Sequence, residues 1–348
     1  MQWTSLAAVA LLAQSVSAQN MLRFACSQLV VERTDPLVNP GALYTPHLHQ
    51  IVGGNSFNIT MDPANHDPAK LSTCTSCQFK EDKSNYWTAV LFFKAKNGTY
   101  HRVPQVGNGG PQGHLIQNGG LDVYYIPQGK VTAFKPGFRM LAGNAANTDA
   151  KKVNRGNICH RCWQSTNDNQ FTGAQPCSGS DSVDVPTGTQ CKMVRQTIIF
   201  PACWDGKNLD SPDHQSHVAY SGVGATGGGA CPASHPVKLP QIMYELMWNT
   251  STFMADRSSW PTDGTNPFVY SMNLGGPAAH GDYVFGWEGD TLQKAMDNRC
   301  NLNRDCAAAG IHAQQPAVYN ACTKPQQAPE EVDGWLKALP MGEMVVKA

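Results

Sequence analysis

Hydrophobic and polar positions along this chain come in short runs broken by glycine and proline, the pattern of many short strands joined by long loops. The clearest is Tyr86-Trp87-Thr88-Ala89-Val90-Leu91-Phe92-Phe93-Lys94, rich in aromatic and β-branched residues that suit a pleated, buried strand. Asn97-Gly98 follows as a hairpin dipeptide, and Tyr100-His101-Arg102-Val103 reads as the returning strand. Further strands are predicted over 24–33, 47–54, 123–126, 138–141, 195–200, 242–248 and 268–272. Only 291–309 has helical spacing, through Leu292, Ala295, Met296 and Arg299. The pattern predicts a mainly β fold, a jelly-roll-like β-sandwich with long loops and a short C-terminal helix.

The ends of the chain divide it further. Leu6-Ala7-Ala8-Val9-Ala10-Leu11-Leu12-Ala13 is a short apolar core, and Val16-Ser17-Ala18 places small residues where a signal peptidase cuts. Residues 1–18 are therefore expected to be a signal peptide. Residues 19–290 are expected to form a single β-rich domain, and 291–348 a helical, cysteine-tied tail. No later run approaches the length of a membrane span.

Composition sharpens the compartment. All 12 cysteines follow the leader, an even number that in a secreted chain predicts a disulfide framework whose connectivity stays open. Asn58, Asn97 and Asn249 head glycosylation sequons. Lys+Arg and Asp+Glu both number 26, so no electrostatic case exists for nucleic acid or an anionic membrane. The expectation is an extracellular, secreted monomer. With 32 Gly, 23 Pro and 15% charged residues, turns must be frequent. The polar, four-cysteine stretch from Asn144 to Gln190 reads as disulfide-tied loop.

Three histidine clusters carry the candidate chemistry. His47 and His49 lie two apart on a predicted strand and so share a face, a chelating arrangement for β-built metal sites. Asp213-His214-x-x-His217 lies in the dense loop 200–220, where Asp213 could orient a ring and Asp205 adds a carboxylate. His280 and Asp282 would share another strand face across Gly281. The paired cysteines Cys74-x-x-Cys77 and Cys159-His160-x-Cys162 are spaced too far apart for a zinc ribbon, which leaves disulfides as their expected fate. Trp87, Trp204 and Trp287 are candidate platforms for sugar rings, against a competing role in core packing.

Several blocks in order carry a family likeness. They are 33–41, 47–54, Asp82-Lys83-Ser84-Asn85-Tyr86-Trp87, Gly137-Phe138-Arg139-Met140-Leu141, 200–206, Asp213-His214-x-x-His217, 231–236 and His280-Gly281-Asp282. From about residue 24 to 290 the chain resembles a fungal secreted family known as domain of unknown function 1996, sometimes joined to a WSC carbohydrate-binding domain. The resemblance implies an extracellular protein linked to fungal walls or plant-biomass degradation and implies no particular reaction.

The reading that follows is a secreted enzyme, a hydrolase or lyase, acting on polysaccharide of fungal wall or plant biomass. Its site would comprise His47, His49, Asp205, Asp213, His214, His217 and His280, with Asp35 and Asp282 as orienting carboxylates. The cofactor is left open: either a histidine serves as acid and base, or three hold a divalent metal. The competing reading is a non-catalytic glycan-binding wall protein using its tryptophans.

Overall fold

The computed structural model describes residues 21–108, 116–164, 176–188, 190–221, 229–271, 277–298, 300, 306–342 and 346–347. The predicted leader lies outside the described residues.

Ten strands build the two main sheets. They are β1 (Leu22–Cys26), β2 (Val30–Glu32), β3 (His49–Gly53), β4 (Asn85–Ala89), β5 (Leu121–Ile126), β6 (Arg139–Gly143), β7 (Ile158–Trp163), β8 (Met193–Ile199), β9 (Gln241–Asn249) and β10 (His280–Val284). One sheet runs β1-β5-β9-β8-β7, with Gln105–Val106 added beside β9. The other runs β6-β10-β4-β3-β2, and every pairing in both is antiparallel. The fold is mainly β, as the pattern predicts, with long loops tied by disulfides.

The sheets pack face to face over one apolar core that includes Val52, Tyr86, Met140 and Tyr283 from the second sheet. From the first come Phe24, Tyr125, Ile198 and Tyr244. Tyr86 meets Tyr244 edge to face at 5.7 Å, and Gly281 marks the closest approach. A Cβ there would lie 3.0–3.2 Å from Phe200, Tyr244 and Ile198. A glycine in a central strand is thus a packing requirement at this position.

Three sequence expectations change. The long apolar run 86–94 is two strands, because after Ala89 the chain leaves the second sheet and Leu91–Lys94 joins a smaller sheet with Tyr100–Arg102 and Phe268–Tyr270. Both halves are buried on both faces, which made the run look continuous. The stretch 24–33 likewise splits, β1 entering one sheet and β2 the other. Inside the polar region read as loop, Ile158–Trp163 is the edge strand β7, paired with β8 along its length. Its cysteines and Arg161 hid the strand in a polar setting, and its second half is only partly buried.

All 12 cysteines are paired: Cys26–Cys77, Cys74–Cys322, Cys159–Cys177, Cys162–Cys191, Cys203–Cys231 and Cys300–Cys306. Neither close pair bonds internally or forms a zinc ligand set. The segment after 290 is helical over Thr291–Asp297 and Pro316–Ala321. It also returns strands to the body, Trp335–Leu336 against Tyr100–His101 and Val346–Lys347 against Ala42–Leu43. Among the described residues, no helix is long and apolar enough to cross a membrane.

Between the sheets lies a polar knot. Asp82 accepts hydrogen bonds from the Tyr86 hydroxyl (2.7 Å) and the Ser84 N–H (3.0 Å). Tyr86, Tyr125 and Tyr283 pass hydroxyl contacts of 2.9 and 3.1 Å, and the Trp287 indole N–H donates to Tyr125. Burial pushes the Asp82 carboxyl up to about 7, only partly offset by the Tyr86 and Ser84 donors.

Two stability predictions follow from these contacts. The folded state binds the Asp82 proton more tightly than the unfolded chain, so this group's stability contribution is present below pH ~4 and lost as pH rises towards 7. Asp82→Asn should therefore gain stability relative to the parent as pH rises from ~4 to ~7, by on the order of 2–4 kcal/mol, and hold that gap above 7. Denaturant midpoints across that range measure it; a gap independent of pH would contradict the assignment. Gly281→Ala should lose about 1–3 kcal/mol, since Ile198, Phe200 and Tyr244 must move to admit a methyl group.

Candidate functional site

The second sheet turns one face to the core and the other towards a layer of loop. Cross-strand partners share a face, and so do residues two apart. Register places His49 opposite Ala89, and Gly281 opposite Thr88, so His49 and His280 flank β4 at Ala89. Only a methyl group stands between the two imidazoles. One step along, Asp282 pairs with Trp87, which pairs with Ile51, in a second row on the same face. His47 lies just before β3, and its backbone bridges to Met341. The loop layer above includes Leu37, Phe57 and Met61, packed on Ile51 and Trp87.

The three rings converge. His47 Nε2 is 3.0 Å from His280 Nε2, and His49 Nε2 is 3.3 Å from the same atom. Ring centroids are 4.2–5.5 Å apart and the planes cross at 68–78°, so the rings point tips together rather than stack. Among the described residues, this is the group of three or more His, Cys, Asp or Glu side chains with its ligand atoms gathered together, all within 4.8 Å of one another.

Tautomers follow from the second nitrogens. His49 Nδ1 is 3.0 Å from the Thr34 carbonyl and His280 Nδ1 is 2.9 Å from the Ala278 carbonyl. A carbonyl only accepts, so both Nδ1 atoms carry the proton and both Nε2 atoms present lone pairs. Burial and mutual repulsion prevent a second proton. His49 is pushed down to about 3 and His280 to about 4, in each case mainly by burial, and His47 is depressed by burial and by its two neighbours. Two lone pairs therefore face each other at 3.3 Å. A proton on His47 Nε2 can serve His280 Nε2 at 3.0 Å, but the His49 lone pair is left facing it without a donor of its own unless an electron-pair acceptor lies between them. Imidazoles ~2.0–2.1 Å from one tetrahedral metal would have their nitrogens about 3.3 Å apart, and carbonyls on Nδ1 are the usual way a protein orients such ligands.

The two orienting carboxylates behave differently. Asp35 is buried and its Oδ1 accepts from the Leu37 and Val38 N–H groups at 3.0 and 3.1 Å, closing the turn at Pro36. Burial raises it to about 6 despite those donors and the nearby His214. Asp282 is 1% exposed, and among the described residues neither oxygen has a hydrogen-bond partner. Its Oδ2 lies 3.6 Å from His280 Nε2. Burial, then the charge of Asp35, pushes its carboxyl far up.

The loop cluster sits elsewhere. Residues 209–217 run along the free edge of β6, where Arg139 and Leu141 donate to the carbonyls of Leu209 and His214. Asp205 Oδ1 accepts from the backbone of Lys207 and Asn208. Asp213 Oδ1 accepts from the Gln215 and Ser216 backbone and both neighbouring serine hydroxyls. Hydrogen bonding, from Ser216 first, holds Asp213 low. These carboxylates shape turns and are not brought to the three converging imidazoles. His214 is held by Asp210 at 2.7 Å, not by Asp213. His217 spends both nitrogens, on Ser211 Oγ and the Arg139 carbonyl. Neither ring joins the three converging imidazoles.

The tryptophan expectation is also corrected. Trp87, Trp204 and Trp287 are 0%, 4% and 1% exposed, leaving no face for a sugar. Trp335, at 55%, is the exposed indole that sequence reasoning passed over. The orienting carbonyls of Thr34 and Ala278 were also missed, since a backbone acceptor leaves no mark in the residue pattern.

No curated protein and no solved structure matches the chain. The sequence profile described as domain of unknown function (DUF1996) matches residues 35–287, a span that holds His47, His49, His280, Asp35 and Asp282. The chain belongs to that family.

Proposed function

We propose that this protein is a secreted, metal-dependent enzyme acting on polysaccharide of fungal wall or plant biomass, with His47, His49 and His280 holding a divalent metal. The observation that carries the metal is the meeting of two Nε2 lone pairs at 3.3 Å, with both Nδ1 protons committed to carbonyls. A metal there supplies Lewis-acid polarisation of a substrate oxygen or of water. The chain's own part is to keep the imidazoles neutral and aimed. Burial does the first, and the Thr34 and Ala278 carbonyls the second. The six disulfides support the secreted setting. The substrate class rests on the family likeness and the extracellular features of the sequence.

One observation favours a second reading. His47, His49 and His280 are 7%, 0% and 2% exposed, which suits a metal that clamps loops to the sheet without turnover. The two readings part on activity.

Chelator-treated protein titrated with Zn²⁺ or Mn²⁺ in a calorimeter should take up one ion per chain. His280→Ala should weaken uptake by 100-fold or more, whereas Asp213→Asn should leave it unchanged. Incubation with a panel of wall and plant glycans should release reducing or unsaturated ends from the metal-loaded protein and not from the stripped one. Uptake that raises the melting temperature without any glycan product selects the clamp; no uptake at all removes both readings.

A further inference from the structure

We propose that Asp282 is the fourth protein ligand of this centre, making it a three-histidine, one-carboxylate site for a borderline transition metal. The inference rests on the metal reading above and deepens it. Three features of the sheet carry it.

The first is position. Asp282 is two residues from His280 on β10, so both side chains leave the same face, and Oδ2 comes within 3.6 Å of His280 Nε2. That is close to the separation of two donors on one metal, about 3.3 Å for tetrahedral ligands at 2.0–2.1 Å. Asp282 lies outside the three-histidine set gathered within 4.8 Å, so the carboxylate swings inward to ligate.

The second is the absence of any other use. Both Asp282 oxygens are buried and, among the described residues, neither accepts a hydrogen bond, although nearby Asp35 accepts two from backbone. A charged carboxylate removed from water without donors is among the costliest arrangements a fold can hold; without metal the group is held protonated, and a bound cation is what would let it carry its charge here. Tyr244 donates its hydroxyl to the Asp282 backbone carbonyl at 2.8 Å, fixing the strand from the core side and leaving the side chain untouched.

The third is contrast with the other carboxylates on this face. Glu32 lies opposite His49, yet its Oε2 accepts from the Gln327 and Ala328 backbone and its Oε1 from Thr34. It ties down the C-terminal segment and has no oxygen to spare. Asp282 is the carboxylate left for the metal.

Three imidazole nitrogens with one carboxylate oxygen suit Zn²⁺, Mn²⁺, Fe²⁺ or Co²⁺, and not Ca²⁺ or Mg²⁺, which take oxygen donors.

Co²⁺ titration, followed by calorimetry and by visible absorption, tests the assignment. The parent protein should bind one Co²⁺ per chain with the intense d–d bands of a four- or five-coordinate site, and should ignore Mg²⁺ and Ca²⁺ at equal concentration. Asp282→Asn should weaken Co²⁺ binding at least tenfold and alter the bands. Asp282→Glu, which keeps the charge on a longer arm, should recover part of the affinity with a spectrum of its own, and serves as the test if the asparagine variant does not fold. Binding by both variants within twofold of the parent, with unchanged bands, would overturn Asp282 as a ligand while leaving the three histidines standing. Failure of the parent to bind Co²⁺ would overturn the metal centre itself.

Discussion

A sheet face covered by loop rather than by water imposes one condition on every polar atom it carries: each must find a partner inside the protein. The second sheet meets that condition at many positions. Glu32 is satisfied by the tail, Asp35 by its own turn, and Thr88 by the His280 carbonyl at 2.6 Å. Among the described residues, Gln50, Asn85 and Trp87 each leave a buried polar atom unmatched, but the ionisable-group mismatch gathers where imidazole lone pairs converge beside the unmatched Asp282 oxygens. Buried donors and acceptors without partners are rare enough in native folds that a cluster of them needs a physical cause. The rest of the architecture reads as the means of holding that cluster still.

The alternation of strands does most of that work. Because β3 and β10 flank β4, residues far apart in sequence become near neighbours on one face, and the small Ala89 between them lets two rings lean together. Gly281 draws β10 against the core through Phe200 and Tyr244. The disulfide Cys74–Cys322 fastens the C-terminal segment to the loop layer. The His47–Met341 bridge and the Gly342 bond to Pro46 then lay that segment beside the first histidine. The tail is thus part of the site's enclosure as well as a trailing appendage.

Much of this was legible beforehand, and the reasons differ by residue. His47 and His49 announced themselves because a two-residue spacing on a strand has one geometric meaning, and the same holds for His280 and Asp282. That the two pairs meet was not legible, since strand order is not written in local pattern. The loop 205–217 misled for a related reason. Its density of Asp and His is what a tight, hydrogen-bonded edge loop needs, with Asp205 and Asp213 saturated by backbone donors, and composition alone does not separate that from chemistry. The tryptophans misled because adjacency to polar residues in sequence says little about exposure once strands bury both faces.

The depressed basicity of the imidazoles and the weakened acidity of Asp282 have a common origin, and it bears on what the centre does. Burial disfavours the charged form of each group separately, so the apo cluster is driven towards neutrality. A divalent cation reverses that balance for the carboxylate while it needs no change in the imidazoles, which already present lone pairs. The same enclosure that expels protons from the histidines therefore keeps them ready as ligands at pH values where solvent-exposed histidines would be protonated. A site built for acid–base turnover would place its imidazoles' affinities near the working pH. Burial holds these below the ordinary imidazole range, a direction that accords with coordination rather than proton transfer.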